Sequence, residues 1–164
     1  MKIVSIAKVV KLAEKLNKDG KKWHFHLLTP KCVFNKEKNF ALVLENTSDG
    51  EIFVNYSEVK QEEAGKVMLE LLHGIKADEF ETRTASSASL EIQNMAKRAK
   101  ELTEKRILWH HHALFPDCVF NKAKGRWVVM LEDPETKEVL ENVTDYKPDA
   151  DLQLIEPLFY KQKE

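Results

Sequence analysis

Two histidines one residue apart, with a cysteine six positions after the second, occur twice in this chain: His24, His26 and Cys32, then His110, His112 and Cys118. On an extended strand, residues i and i+2 project from one face about 6.6 Å apart, so two imidazoles can converge on one ion. The proline turn after each pair can then fold the thiol back toward them. Two nitrogens and a thiolate suit zinc or another borderline transition metal. For a fourth position the sequence offers Glu45 and Glu132, His73, a water, or a residue of the other copy. The spacing matches no closed structural zinc signature, since neither copy has a Cys-x-x-Cys half.

The competing reading makes the same residues core. Cysteine is among the most buried residue types, and a Trp-His-x-His strand can bury its ring faces while its nitrogens bond to backbone. A third reading makes Cys32 or Cys118 a nucleophile activated by a neighbouring histidine, which also requires an oxyanion pocket of backbone amides. A glycine-rich phosphate loop, a nucleophile elbow and a helical His-Glu-x-x-His are all missing from the sequence, which disfavours the common nucleotide-hydrolysing and dinucleotide-binding classes.

The recurrence extends beyond the three residues. The segment Trp23 to Lys38 returns as Trp109 to Lys124 with a constant offset of 86, and eleven of its sixteen positions are identical. Further on, Trp127–Leu131 is displaced by one extra residue relative to the first copy, and this insertion belongs in a turn, because inside a strand it would send every following side chain to the opposite face.

The elements that must position the motif follow from periodicity. Ile3, Ile6, Val9, Val10, Ala13 and Leu16 form a helical stripe ending near Gly20, and Leu90, Met95, Ala96, Ala99 and Leu102 form its counterpart, with Ser87 or Ser89 as N-cap. Alternation then predicts short antiparallel strands over Trp23–Leu28, Cys32–Asn35, Phe40–Glu45 and Glu51–Tyr56. A closing helix carries Ala64, Val67, Met68, Leu71, Leu72 and Ile75, stopped by His73-Gly74; its counterpart carries Ala150, Leu152, Ile155, Leu158 and Phe159. Pro148 suits the first turn of that last helix, whereas Pro157 should shorten or bend it. The expected architecture is α+β: a tandem duplication of a helix, a meander of three or four antiparallel strands and a helix, with the halves sharing a core around a pseudo-two-fold axis. Residues 1–76 and 89–164 are the two repeats, and 77–88 the linker.

Composition bounds the function. The chain has 164 residues, 43% hydrophobic and 32% charged, with a net charge of −1, so no strong overall field draws it to nucleic acid or an anionic membrane. Locally, residues 1–22 hold seven lysines against two acids, and Lys8, Lys11, Lys15 and Lys18 share one helix face just before Trp23. Basic helices beside exposed tryptophans can track a phosphate backbone and stack bases, which makes nucleic acid or another protein the alternative partner. Lys8 and Lys11 interrupt the N-terminal apolar stretch, so no signal peptide is expected, and no run reaches the ~18 apolar residues of a membrane span. Two cysteines suit a reducing cytoplasm. The sequence therefore reads as a small soluble binding protein with a duplicated His-x-His-x5-Cys site.

Overall fold

Ser5 sets where the first helix begins: its hydroxyl accepts a hydrogen bond from the Lys8 amide at 3.3 Å, capping α1 (Ile6–Lys18). Val9, Ala13 and Leu16 form its buried stripe. The computed structural model describes residues 1–73 and 89–162. It is an α+β protein that divides into two compact units, Met1–Glu79 and Phe80–Glu164. Among the described residues there are four helices and two sheets, and no closed barrel.

In the first unit, α1 leads into β2 (Trp23–Leu28), β3 (Phe40–Asn46), β4 (Glu51–Ser57) and then α2 (Glu62–His73), with the short β1 (Lys2–Ile3) ahead of α1. The sheet order is β1-β4-β3-β2; β1 joins parallel to β4, and the other pairs are antiparallel. Ile3 therefore lies in a strand and not in the expected helix, because the cap at Ser5 starts α1 three residues later. Val9, Ala13 and Leu16 of α1 pack with Leu42, Leu44, Phe53 and Met68 around Trp23, burying apolar area worth roughly 2 kcal/mol for each large side chain. The indole Nε1 of Trp23 donates to Asn17 Oδ1 at 2.6 Å, so the ring is buried with its one polar atom satisfied.

The second unit has the same order: α3 (Leu90–Glu104), β5 (His110–Leu114), β6 (Trp127–Asp133), β7 (Glu138–Thr144) and α4 (Asp149–Lys161), with a β5-β6-β7 antiparallel sheet. Ser89 is its N-cap, accepting from Ile92 N. Ile92, Met95, Ala99 and Leu102 pack with Val129, Leu131 and Ile155 around Trp109, whose Nε1 donates to Thr103 Oγ1. Pro157 lies inside α4 without ending it, since a proline in a helix forfeits one backbone bond and the helix continues to Lys161. The expected linker, 77–88, and the glycine expected to stop α2, Gly74, lie outside the described residues.

One expected strand is absent. Cys32–Asn35 is a tight turn in which Cys32 N donates to Thr29 O at 3.1 Å and Asn35 N donates to Cys32 O at 2.9 Å. Pro30 supplies no amide for a ladder, so the chain bends where its apolar residues had suggested a strand.

Candidate metal centre

Strand alternation decides which side chains meet. Trp23 and Phe25 of β2 face the helices, so His24 and His26 lie on the opposite face of the sheet. Register does the rest: His24 stands directly across from Glu45 of β3, and His26 across from Val43. Glu45 is thus the immediate cross-strand neighbour of one imidazole and the diagonal neighbour of the other. Its Oε2 lies 2.7 Å from His24 Nε2 and 3.7 Å from His26 Nε2, with side-chain exposures of 4%, 3% and 10% for Glu45, His24 and His26. The two rings stand edge to face, centroids 5.0 Å apart at 84°, which turns both Nε2 atoms toward the same oxygen.

The second unit repeats this. His110 pairs across from Glu132 and His112 across from Met130. Glu132 Oε2 lies 2.8 Å from His110 Nε2 and 3.5 Å from His112 Nε2. The rings are 5.1 Å apart at 86°. Within each unit the three donor atoms lie within 4.8 Å of one another. Adjacent donors around a tetrahedral zinc with bonds near 2.0–2.1 Å are about 3.4 Å apart, close to the two longer separations. The two shorter ones are of hydrogen-bond length and would have to lengthen for a cation to be held there.

A buried carboxylate is costly unless a positive charge or strong donors meet it, and imidazole nitrogens lie 2.7 Å from Glu45 Oε2 and 2.8 Å from Glu132 Oε2. Burial holds His112 below the ordinary histidine range; Glu132 pulls it upward by hydrogen bonding, and His110 pushes it down again. Burial thus favours the neutral imidazole of His112, the protonation state a metal ligand needs.

Of the residues picked from sequence, the four histidines come together in pairs, each pair with a glutamate of its own unit. Cys32 does not belong to the within-unit group of His24, His26 and Glu45, nor Cys118 to that of His110, His112 and Glu132. Both cysteines are buried on tight turns, and their sulfurs are among the atoms able to ligate a metal. The described residues thus hold buried His, Cys and Glu side chains that could hold a metal ion. His73 ends α2, and its side chain is outside those described.

The glutamates carried a readable signal. Each sits in a strand facing the His-x-His strand, at the position a hairpin register brings opposite the first histidine. His111 takes the other face, as its counterpart Phe25 does. It packs edge-on against Phe159 and beside Trp109, and burial, then the charges of His112 and His110, push it down to about 4.

The other expectations fare differently. Trp23 and Trp109 are buried, so neither presents a ring face to a base. The amides of Cys32, Asn35, Cys118 and Asn121 are engaged in turn bonds and are not arrayed as an oxyanion pocket. No helix among the described residues is long and apolar enough to cross a membrane. Comparison with protein-family models, with curated proteins and with solved structures found no match.

Proposed function

We propose that the protein binds a transition metal, zinc first among them, at a duplicated site: His24, His26 and Glu45 in one unit, His110, His112 and Glu132 in the other, with Cys32 and Cys118 supplying the thiolate donors. The observation that carries this reading is the buried glutamate oxygen set between the Nε2 atoms of two histidines, in the same cross-strand geometry in both units. Neutral imidazoles with a carboxylate and a thiolate suit zinc and its first-row neighbours, whereas magnesium and calcium prefer oxygen-rich, partly hydrated shells. Residues 1–76 and 89–164 are, on this reading, two copies of one ancestral binding unit, supported by the eleven identities and the shared element order. A reducing, cytoplasmic setting keeps both thiols available as ligands.

Elemental analysis of untagged protein tests the proposal. Stoichiometric metal is expected in the wild type, with loss in the His26→Ala, His112→Ala variant. Folded wild-type protein that emerges metal-free, and takes up none when dialysed against zinc, refutes it.

A further inference from the structure

The two sheets differ at one edge. In the first unit β1 lies parallel against β4, with Lys2 across from Phe53 and Ile3 across from Val54. Three bonds seat it: Val4 N donates to Val54 O at 2.9 Å, Asn55 Nδ2 donates to Val4 O at 2.9 Å, and Lys2 Nζ meets Glu51 Oε1 at 2.6 Å. In the second unit β7 matches β4 in element order and in length, and each pairs antiparallel, without a break, with the strand before it. Yet β7 ends its sheet, and among the described residues no strand lies beside its outer edge.

Helix length explains the difference. α1 and α3 stop equally far before Trp23 and Trp109, but α3 has 15 residues against 13, and the two extra stand at its start. Counted back from the tryptophans, Ser89 and Leu90 occupy the places of Ile3 and Val4. They are the cap and the first residue of a helix, so that stretch of backbone cannot also pair with β7.

What β7 keeps is the seat. Val54 turns its backbone oxygen toward β1, and two-residue alternation gives the fourth residue of β7, Glu141, the same outward aim, with Val139 and Val143 on either side of it. The fifth residue is asparagine in both strands, Asn55 and Asn142, and the first is glutamate in both, Glu51 and Glu138. Asn55 bonds the strand it holds, whereas the Asn142 amide has no hydrogen-bond partner among the described residues. Glu138 accepts from Arg98 Nη2 at 2.8 Å yet stays 40% exposed, and Glu141 is exposed as well. The edge runs without proline, lysine or bulge, the devices that blunt an open strand.

We propose that the open edge of β7 captures an extended, lysine-bearing peptide segment of another protein as a parallel fourth strand, in the manner in which β4 holds Lys2 to Val4. Main-chain bonds to a sheet edge supply the affinity, and flanking side chains select the sequence. Glu138 and Glu141 favour a basic residue, and Asn142 stands where it can bond the end of the added strand. A second copy offering its own β7 is the poorer occupant, because antiparallel pairing about Glu141 sets like charges opposite each other. The capture needs no metal.

Amide exchange in the full-length chain, titrated with a synthetic peptide that copies residues 1–5 and is blocked at both ends, tests the assignment. In the free chain the Glu141 and Val143 amides should exchange as open ones, and peptide at about ten times its dissociation constant should slow both about tenfold. Glu141→Lys and Asn142→Ala should each weaken peptide binding by about 2–10-fold, and a peptide N-methylated at its valine should not bind. Protection of both amides in the monomeric free chain means that the chain fills the edge itself, and overturns the proposal. Protection that appears only as the free chain self-associates makes a second copy the occupant and overturns it equally. Open amides that the peptide leaves unchanged, folded variants that bind it as the wild type does, or undiminished binding of the N-methylated peptide each refute strand capture.

Discussion

Arg106 holds φ 57° at the end of α3, the left-handed conformation that Gly20 holds at φ 65° at the end of α1. The two ends close alike, Lys21 N on Leu16 O and Ile107 N on Leu102 O, both at 2.9 Å. Glycine adopts this backbone freely, whereas an arginine Cβ crowds the following carbonyl. Arg106→Gly is therefore expected to stabilise the protein by about 1 kcal/mol after allowing for the greater freedom of glycine in the unfolded chain. Urea denaturation measures it, and a midpoint that falls shows that the arginine side chain contributes more than its strain costs.

Zinc should stabilise the folded state, because the donor sets exist only there. At a hundred times the dissociation constant, one site contributes about 2.7 kcal/mol, which for a chain of this size raises Tm by roughly 5–10 °C. A chelator should reverse the rise. Melting curves that superimpose with and without zinc count against both sites.

Replacing the glutamates separates a metal site from a buried acid held only by its neighbours. Glu45→Gln and Glu132→Gln keep the shape and remove the charge. In metal-free protein each variant should melt at or above the wild-type temperature, since a buried carboxylate no longer needs a counter-charge. With zinc present, the metal-induced rise should shrink in each single variant and vanish in the double. An undiminished rise in the double variant excludes the glutamates as ligands.

His111 gives a pH dependence of known sign. Burial holds it near pH 4 in the folded protein, against 6.5 for the ordinary group. The unfolded state therefore binds the extra proton first as pH falls. Stability is whole above about 6.5, declines down to about 4 and levels off below, amounting to about 2 kcal/mol lost at pH 5 from this residue. His111→Phe, the residue type found at the matching position 25, should remove that share of the decline in metal-free protein. Identical stability-versus-pH profiles for the two proteins between pH 4 and 6.5 contradict the assignment.

Periodicity located all four helices and the hairpins, because these signals are local: Ser89 caps, Gly20 terminates, and Val9, Ala13 and Leu16 mark a stripe, whereas the cap at Ser5 went unread and the first helix was expected to reach back to Ile3. The pairing of His24 with His26, and of His110 with His112, was legible for the same reason, being set by two-residue alternation. The role of Glu45 and Glu132 was legible only as one option among several, since it depends on the register between strands, which turn geometry decides. Cys32–Asn35 was misread as a strand because Val33 and Phe34 look apolar, while the Asn35 side-chain amide that clasps the segment bonds to carbonyls four to six residues away.

The extra residue beside Gly125 has a practical side. Gly125 N donates to Pro116 O and Lys124 Nζ to Cys118 O, so the turn is stitched across on both sides of the Lys124–Gly125 bond. A tag grafted there would pull those stitches apart, and labelling is better directed elsewhere.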